Sequence, residues 1–133
     1  MISKILNKLG IDTRKPYQKH SEFWQQHVNF KSIEDRVPFF KTICENKKVL
    51  HLGCTDWPIF DPSYNLHIKL AKVANTIHGF DIDQEGIDNL KKHVDQPYFS
   101  SFVDVKENYD ICLVPETIEH VDNVRIFLEG LST

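Results

Sequence analysis

The apolar positions of the chain change rhythm at Lys47. Upstream of it, Ile2, Ile5, Leu6 and Leu9 recur at helical spacing, and Gly10 closes that segment. The run YQKHSEFWQQHVNF (residues 17–30) continues as a second short helix, for which Ser21 is a suitable cap. Pro38 suits a first helical turn, so PFFKTICEN (38–46) reads as a third helix. This stretch carries many aromatics, among them Phe23, Trp24, Phe30, Phe39 and Phe40.

Downstream, short apolar runs alternate with amphipathic ones. KVLHLG (48–53) reads as a strand, followed by a helix with Leu66, Leu70, Val73 and Ile77 on one face. TIHGFDID (76–83) is a strand ending in acids, and a helix aligning Ile87, Leu90 and Val94 comes after it. YFSSFVDV (98–105) is a third strand. YDICLVP (109–115) is a fourth, apolar enough to be covered on both faces. Asp122 or Asn123 can cap a last helix that turns Val124, Phe127, Leu128 and Leu131 inward. Strands separated by single helices imply parallel pairing, and hence an α/β, doubly wound sheet. The expected organisation is a helical extension or lid over residues 1–46 and a sheet domain over 47–133.

Four strands leave such a sheet unfinished, and an apolar fourth strand at an open edge calls for a cover, either further chain or a partner such as a second copy. The composition of the 133 residues, 41% hydrophobic and 26% charged, is that of an ordinary globular domain. A net charge of -3 offers no general attraction to nucleic acid or anionic membranes. Three cysteines without paired spacing argue against a disulfide framework and for a reducing, cytoplasmic setting. No apolar run approaches the ~20 residues needed to cross a bilayer, and MISKILNKLG is not a secretory signal.

In an open parallel sheet, ligands bind beyond the carboxyl ends of the strands. Here those ends bring Gly53-Cys54-Thr55-Asp56, then Asp81 and Asp83, then Asp104, then Glu116, Glu119 and His120. Asp81 follows Gly53 at the interval where an acid accepts hydrogen bonds from ribose hydroxyls, whereas Asp83 is better placed to cap the next helix. Pro58 and Pro62 make the loop after Gly53 longer than a compact glycine loop, which suits a nucleoside better than the pyrophosphate of NAD or FAD. His51 and Cys54 have no second pair at ligand spacing, so no metal site is expected, and His51 reads as a packed strand residue. A G-x-S-x-G elbow for hydrolysis is absent.

KKVLHLGC, LAKVANTIHGFDIDQEGIDNLKK and YDICLVPETIEHVDNVRIFLEGL closely resemble the class I S-adenosylmethionine-dependent methyltransferases, in order and at the right intervals. ETIEHVDN is similar to the Glu-His signature of the branch that includes small-molecule O- and C-methyltransferases. The resemblance implies a Rossmann-like sheet of order 3-2-1-4, of which residues 47–133 would be the N-terminal part. It implies that Gly53, Cys54 and Thr55 line the methionine and ribose end of S-adenosyl-L-methionine, and that Asp81 binds the ribose. Ile82 would lie near the adenine and Asp104 near its amino group, with Pro115 and Glu116 bordering the transfer centre. His51 stands where the family has an acid, and Thr55 and Trp57 where it has glycines. The implied activity is methyl transfer to a small-molecule, saccharide-like or lipid-like acceptor, with His120 as proton acceptor; alternatively Glu119 and His120 only tie down their loop. A cofactor-free Rossmann-like interaction module is the rival expectation, favoured by the altered glycine loop.

Overall fold

Four parallel strands arranged β3-β2-β1-β4 form the centre of the described structure. They are β1 (Lys48–Leu52), β2 (Thr76–Phe80), β3 (Tyr98–Phe99) and β4 (Ile111–Leu113). The computed structural model describes residues 32–131. The helices expected at residues 2–9 and 17–30, the Ser21 cap and the lid role therefore lie outside the described residues. The α/β class, the parallel pairing and the 3-2-1-4 order are those expected for a Rossmann-like fold, here with four strands among the described residues.

β1 lies between β2 and β4, so both of its edges are paired, and with helices over both faces Val49, Leu50, His51 and Leu52 are all buried. Strand alternation sends them to two different layers. Val49 joins Ile77, Leu113 and Val94 under helices α1 (Arg36–Cys44) and α2 (Leu66–Leu70), which contribute Cys44, Leu66 and Leu70. Leu50 and Leu52 join Phe80 on the opposite face, where helix α4 (Val124–Leu131) supplies Phe127 and Leu131. On that face Phe80 stacks on Phe102 with ring centres 4.4 Å apart, and Phe102 meets Phe127 edge-on at 5.8 Å. Helices on both faces make the sheet doubly wound.

Capping explains where the helices begin. Asp35 accepts from Val37 N at 2.9 Å, so α1 starts two residues before Pro38. Asn65 accepts from Ile68 N at the start of α2. As expected, Asp83 caps the helix after β2, α3 (Gln84–Leu90), by accepting from Gly86 N at 2.9 Å. Asn123 accepts from Ile126 N at the start of α4.

Several elements differ from the sequence expectation. Ile77 is a strand residue paired with Val49, because α2 ends at Leu70 and a turn follows. The third strand stops at Phe99. Ser101 then caps a tight 3-10 turn, Phe102–Asp104, by accepting from Val103 N, so the chain curls where continued alternation would keep it extended. In α4 only Phe127 and Leu131, one turn apart, pack inward; Val124 and Leu128 stay 44% and 49% exposed. Helix α1 belongs by its contacts to the same unit as the sheet, Ile33–Thr133.

Gly86, in the first turn of α3, sits directly against the loop after β1. A Cβ there would come within 2.7 Å of Thr55 Cβ and 2.8 Å of Trp57 Cβ. Gly86→Ala gains about 1 kcal/mol of helix propensity but meets overpacking that costs about 1–3 kcal/mol. Urea denaturation should therefore give a net destabilisation of up to about 2 kcal/mol; a net gain in stability would mean that the loop gives way freely.

Candidate functional site

The carboxyl ends of the four strands surround a cavity of about 750 Å³. Its walls come from the loop after β1 (Gly53, Thr55, Asp56, Trp57), the end of β2 (Asp81, Ile82, Asp83), the turn after β3 (Ser100, Ser101, Phe102), and the segment after β4 (Glu116, Thr117, His120).

The first loop is held by side chains, with Gly53 as its one glycine. Gly53 adopts φ 68°, open to glycine at no steric cost, and a Cβ at this position would collide with Thr117 Oγ1 at 2.3 Å. Thr117 Oγ1 in turn donates to the Pro115 and Leu52 carbonyls at 3.0 and 3.3 Å, so the first and fourth strand ends are latched together. Thr55 donates to Asp81 Oδ2 through both its backbone N (3.1 Å) and its Oγ1 (2.9 Å), while Asp81 Oδ1 accepts from Asp83 N at 3.1 Å. The buried Asn65 amide donates to the Cys54 carbonyl and to Asp56 Oδ2, both at 3.0 Å, tying the loop to α2.

Asp56 and Glu116 both take left-handed backbone conformations, with φ of 55° and 50°. Such conformations are uncommon outside glycine and gather at functional sites. Glu116 pairs with Arg36 at the start of α1. Burial raises the Asp56 carboxyl above its ordinary range. The Asn65 hydrogen bond and the Arg36 charge partly offset this, and Glu116 and Asp81 add to it.

Of the sequence candidates, Gly53, Thr55, Asp81, Ile82, Glu116 and His120 meet on this one cavity. Four others do not line it. Cys54 is 1% exposed and packs its Sγ toward Gly79, and burial, then the Asp81 charge, pushes its thiol well above the usual range. Asp104 sits exposed at the far end of the 3-10 turn, because β3 ends five residues earlier; Ser101 and Phe102 occupy the rim in its place. Glu119 is exposed on the 3-10 turn Ile118–His120, which presents His120 to the cavity instead. Pro115 borders a smaller adjoining recess. Asp56 was placed at the first strand end but given no role, and Thr117 and Ser100-Ser101-Phe102 were missed. The paired serines directly after Phe99 carried a readable signal, since serine breaks an apolar strand and caps a turn.

His51 and His67 form a buried pair beneath the β1 loop. Their Nδ1 atoms are 3.2 Å apart, their rings are stacked 5.4 Å centre to centre, and among the described residues neither Nε2 has a hydrogen-bond partner. Burial lowers the His51 pKa to about 3 and holds His67 well below its usual value. Among the described residues no group of three His, Cys, Asp or Glu is placed to hold a metal ion. None of the described helices is long and apolar enough to cross a membrane.

No protein-family model matches the chain, and no curated protein matches it. Among solved structures, the chain is similar to a Thermoplasma acidophilum protein of known crystal structure, at 17% identity and a TM-score of 0.48. The match covers 69% of this chain and 49% of that one, so the chain spans about half the length of its structural neighbour.

The histidine pair sets a pH dependence. Below its ordinary value of 6.5 the unfolded chain takes up a proton at His51, whereas the folded chain resists until about pH 3. Stability is thus fully present above about pH 6.5 and is lost as the pH falls. Between pH 7.5 and pH 5 the unfolding free energy should drop by ~2 kcal/mol from His51 alone. Chemical denaturation at the two pH values checks this; equal stabilities would show that the pair is already hydrated or charged in the fold.

Proposed function

We propose that the cavity binds S-adenosyl-L-methionine and that the protein transfers the donor's methyl group to a small-molecule acceptor. The observation that carries the reading is the charge of the wall. Asp56, Asp81, Asp83 and Glu116 line it, and among the described residues no lysine or arginine does. Such a wall repels the pyrophosphate of a dinucleotide and attracts a ligand bearing a sulfonium and an ammonium. The volume of about 750 Å³ falls within the roughly 300–1,000 Å³ of small-molecule sites.

On this reading Asp81 accepts from the ribose, Phe102 and Ile82 flank the adenine, and Asp56 and Glu116 face the charged end. When bound, the donor supplies an electrophilic methyl carbon. The chain's contribution is to align the acceptor with it and to exclude water. His120, exposed and on the cavity, is the group available to take a proton from the acceptor.

A second reading, a Rossmann-like interaction module that does without the donor, is favoured by one specific observation. A carboxylate offers about four acceptor positions. Protein donors already occupy three on Asp81, two of them on Oδ2. A ribose that needs both oxygens must displace the Thr55 hydroxyl.

Isothermal calorimetry with S-adenosylhomocysteine tests the pair of readings. Wild-type protein should bind it, and Asp81→Ala should weaken binding by about 1–3 kcal/mol with the fold checked by circular dichroism. An absence of heat at millimolar ligand sinks the methyltransferase reading. Thr55→Ala frees Asp81 Oδ2 and should tighten binding severalfold. Binding seen only in that variant would assign the wild-type chain to the second reading.

A further inference from the structure

The cavity does not end at Glu116. Gly53, Asp56, Glu116 and His120 also line a second recess of about 200 Å³, whose remaining wall includes Arg36 and His51. The two spaces share that wall, so these four residues stand between the recess and the cavity.

Charge in the recess is unbalanced. Arg36 is its one guanidinium among the described residues, and Glu116 already pairs with it. Among the described residues that leaves the Asp56 carboxylate with one side-chain hydrogen bond, from Asn65, and no ion pair. Burial raises its proton affinity, and the Asn65 hydrogen bond and the Arg36 charge offset this only in part. His51 is an independent sign of a ligand. It borders the recess, it is 2% exposed, and its Nε2 is a buried polar atom with no partner. With Nδ1 occupied by His67, Nε2 is the ring atom left to bond a ligand.

We infer that this recess is a second binding site, for a small molecule bearing an ammonium group, held by the Asp56 carboxylate and the His51 ring nitrogen. The inference rests on the methyltransferase reading only in naming this molecule as the methyl acceptor; the recess and its charge stand apart from it. The ammonium supplies the missing charge beside Asp56 and donates to His51 Nε2 when Nδ1 carries the proton. The Arg36–Glu116 pair lines the side of the recess, and Glu116 offsets the Arg36 charge that would otherwise favour an anion.

Three probes of one shape and different charge decide it: benzylamine, benzyl alcohol and benzoate, titrated into the full-length protein with and without S-adenosylhomocysteine. Benzylamine should bind at least about tenfold tighter than either isostere, and Asp56→Asn should remove most of that preference. Glu116→Gln, which releases Arg36 into the recess, should weaken benzylamine and strengthen benzoate, so the inference stays testable if the Asp56 variant misfolds. Equal binding of all three, a preference for benzoate, or no benzylamine signal overturns it. S-adenosylhomocysteine binding without a benzylamine response defeats the recess alone. A benzylamine response without S-adenosylhomocysteine binding defeats only the donor reading.

Discussion

Three donors converge on Asp81, and the site depends on that convergence. Thr55 contributes its backbone N–H and its hydroxyl, and Asp83 its backbone N–H. Hydrogen bonds to a charged acceptor contribute about 1.5–3 kcal/mol each, enough to fix a loop that carries two prolines and no glycine beyond Gly53. Through them the tip of β2 holds the tip of β1, and Asn65 completes the tie from the helix side. A glycine-rich turn achieves a close approach by having no side chain. This chain reaches a comparable one by bonding the side chains it has.

That tie concentrates negative charge. Four carboxylates face one cavity, and two of them sit on residues forced into the left-handed region. A fold optimised only for stability would avoid both features, because like charges repel and such backbone angles cost of order 1–3 kcal/mol each. Arg36 neutralises Glu116 from α1, but it does so at an exposed edge, where the pair contributes little to stability. The arrangement makes physical sense for a rim that waits for a positive ligand.

The sheet was legible because its cause is local and periodic. Val49 to Leu52 and Ile77 to Phe80 are apolar runs of strand length, and the acids after them marked the rim. Asp81 and Glu116 were found by that rule. Asp104 was misplaced because the same rule ran β3 through two serines that instead begin a turn. Asp56 was placed on the rim by the same rule, but its role depends on a left-handed bend and on Asn65, nine residues away, neither of which leaves a periodic trace. His51 was read as a packed strand residue, as it is, but its pairing with His67 lay beyond reach, since nothing in the sequence ties the two histidines together. Long-range pairing between α2 and β1 is what gives them meaning.

The close seat of Gly86 against Thr55 and Trp57 has a consequence for how this sequence can change over time. The loop and the helix occupy one fixed space, so a bulkier residue on either side has no room unless the other side shrinks. Substitutions at positions 55, 57 and 86 should therefore travel together among descendants of this chain, and a lineage that placed a smaller residue at 55 would be freed to enlarge the one at 86.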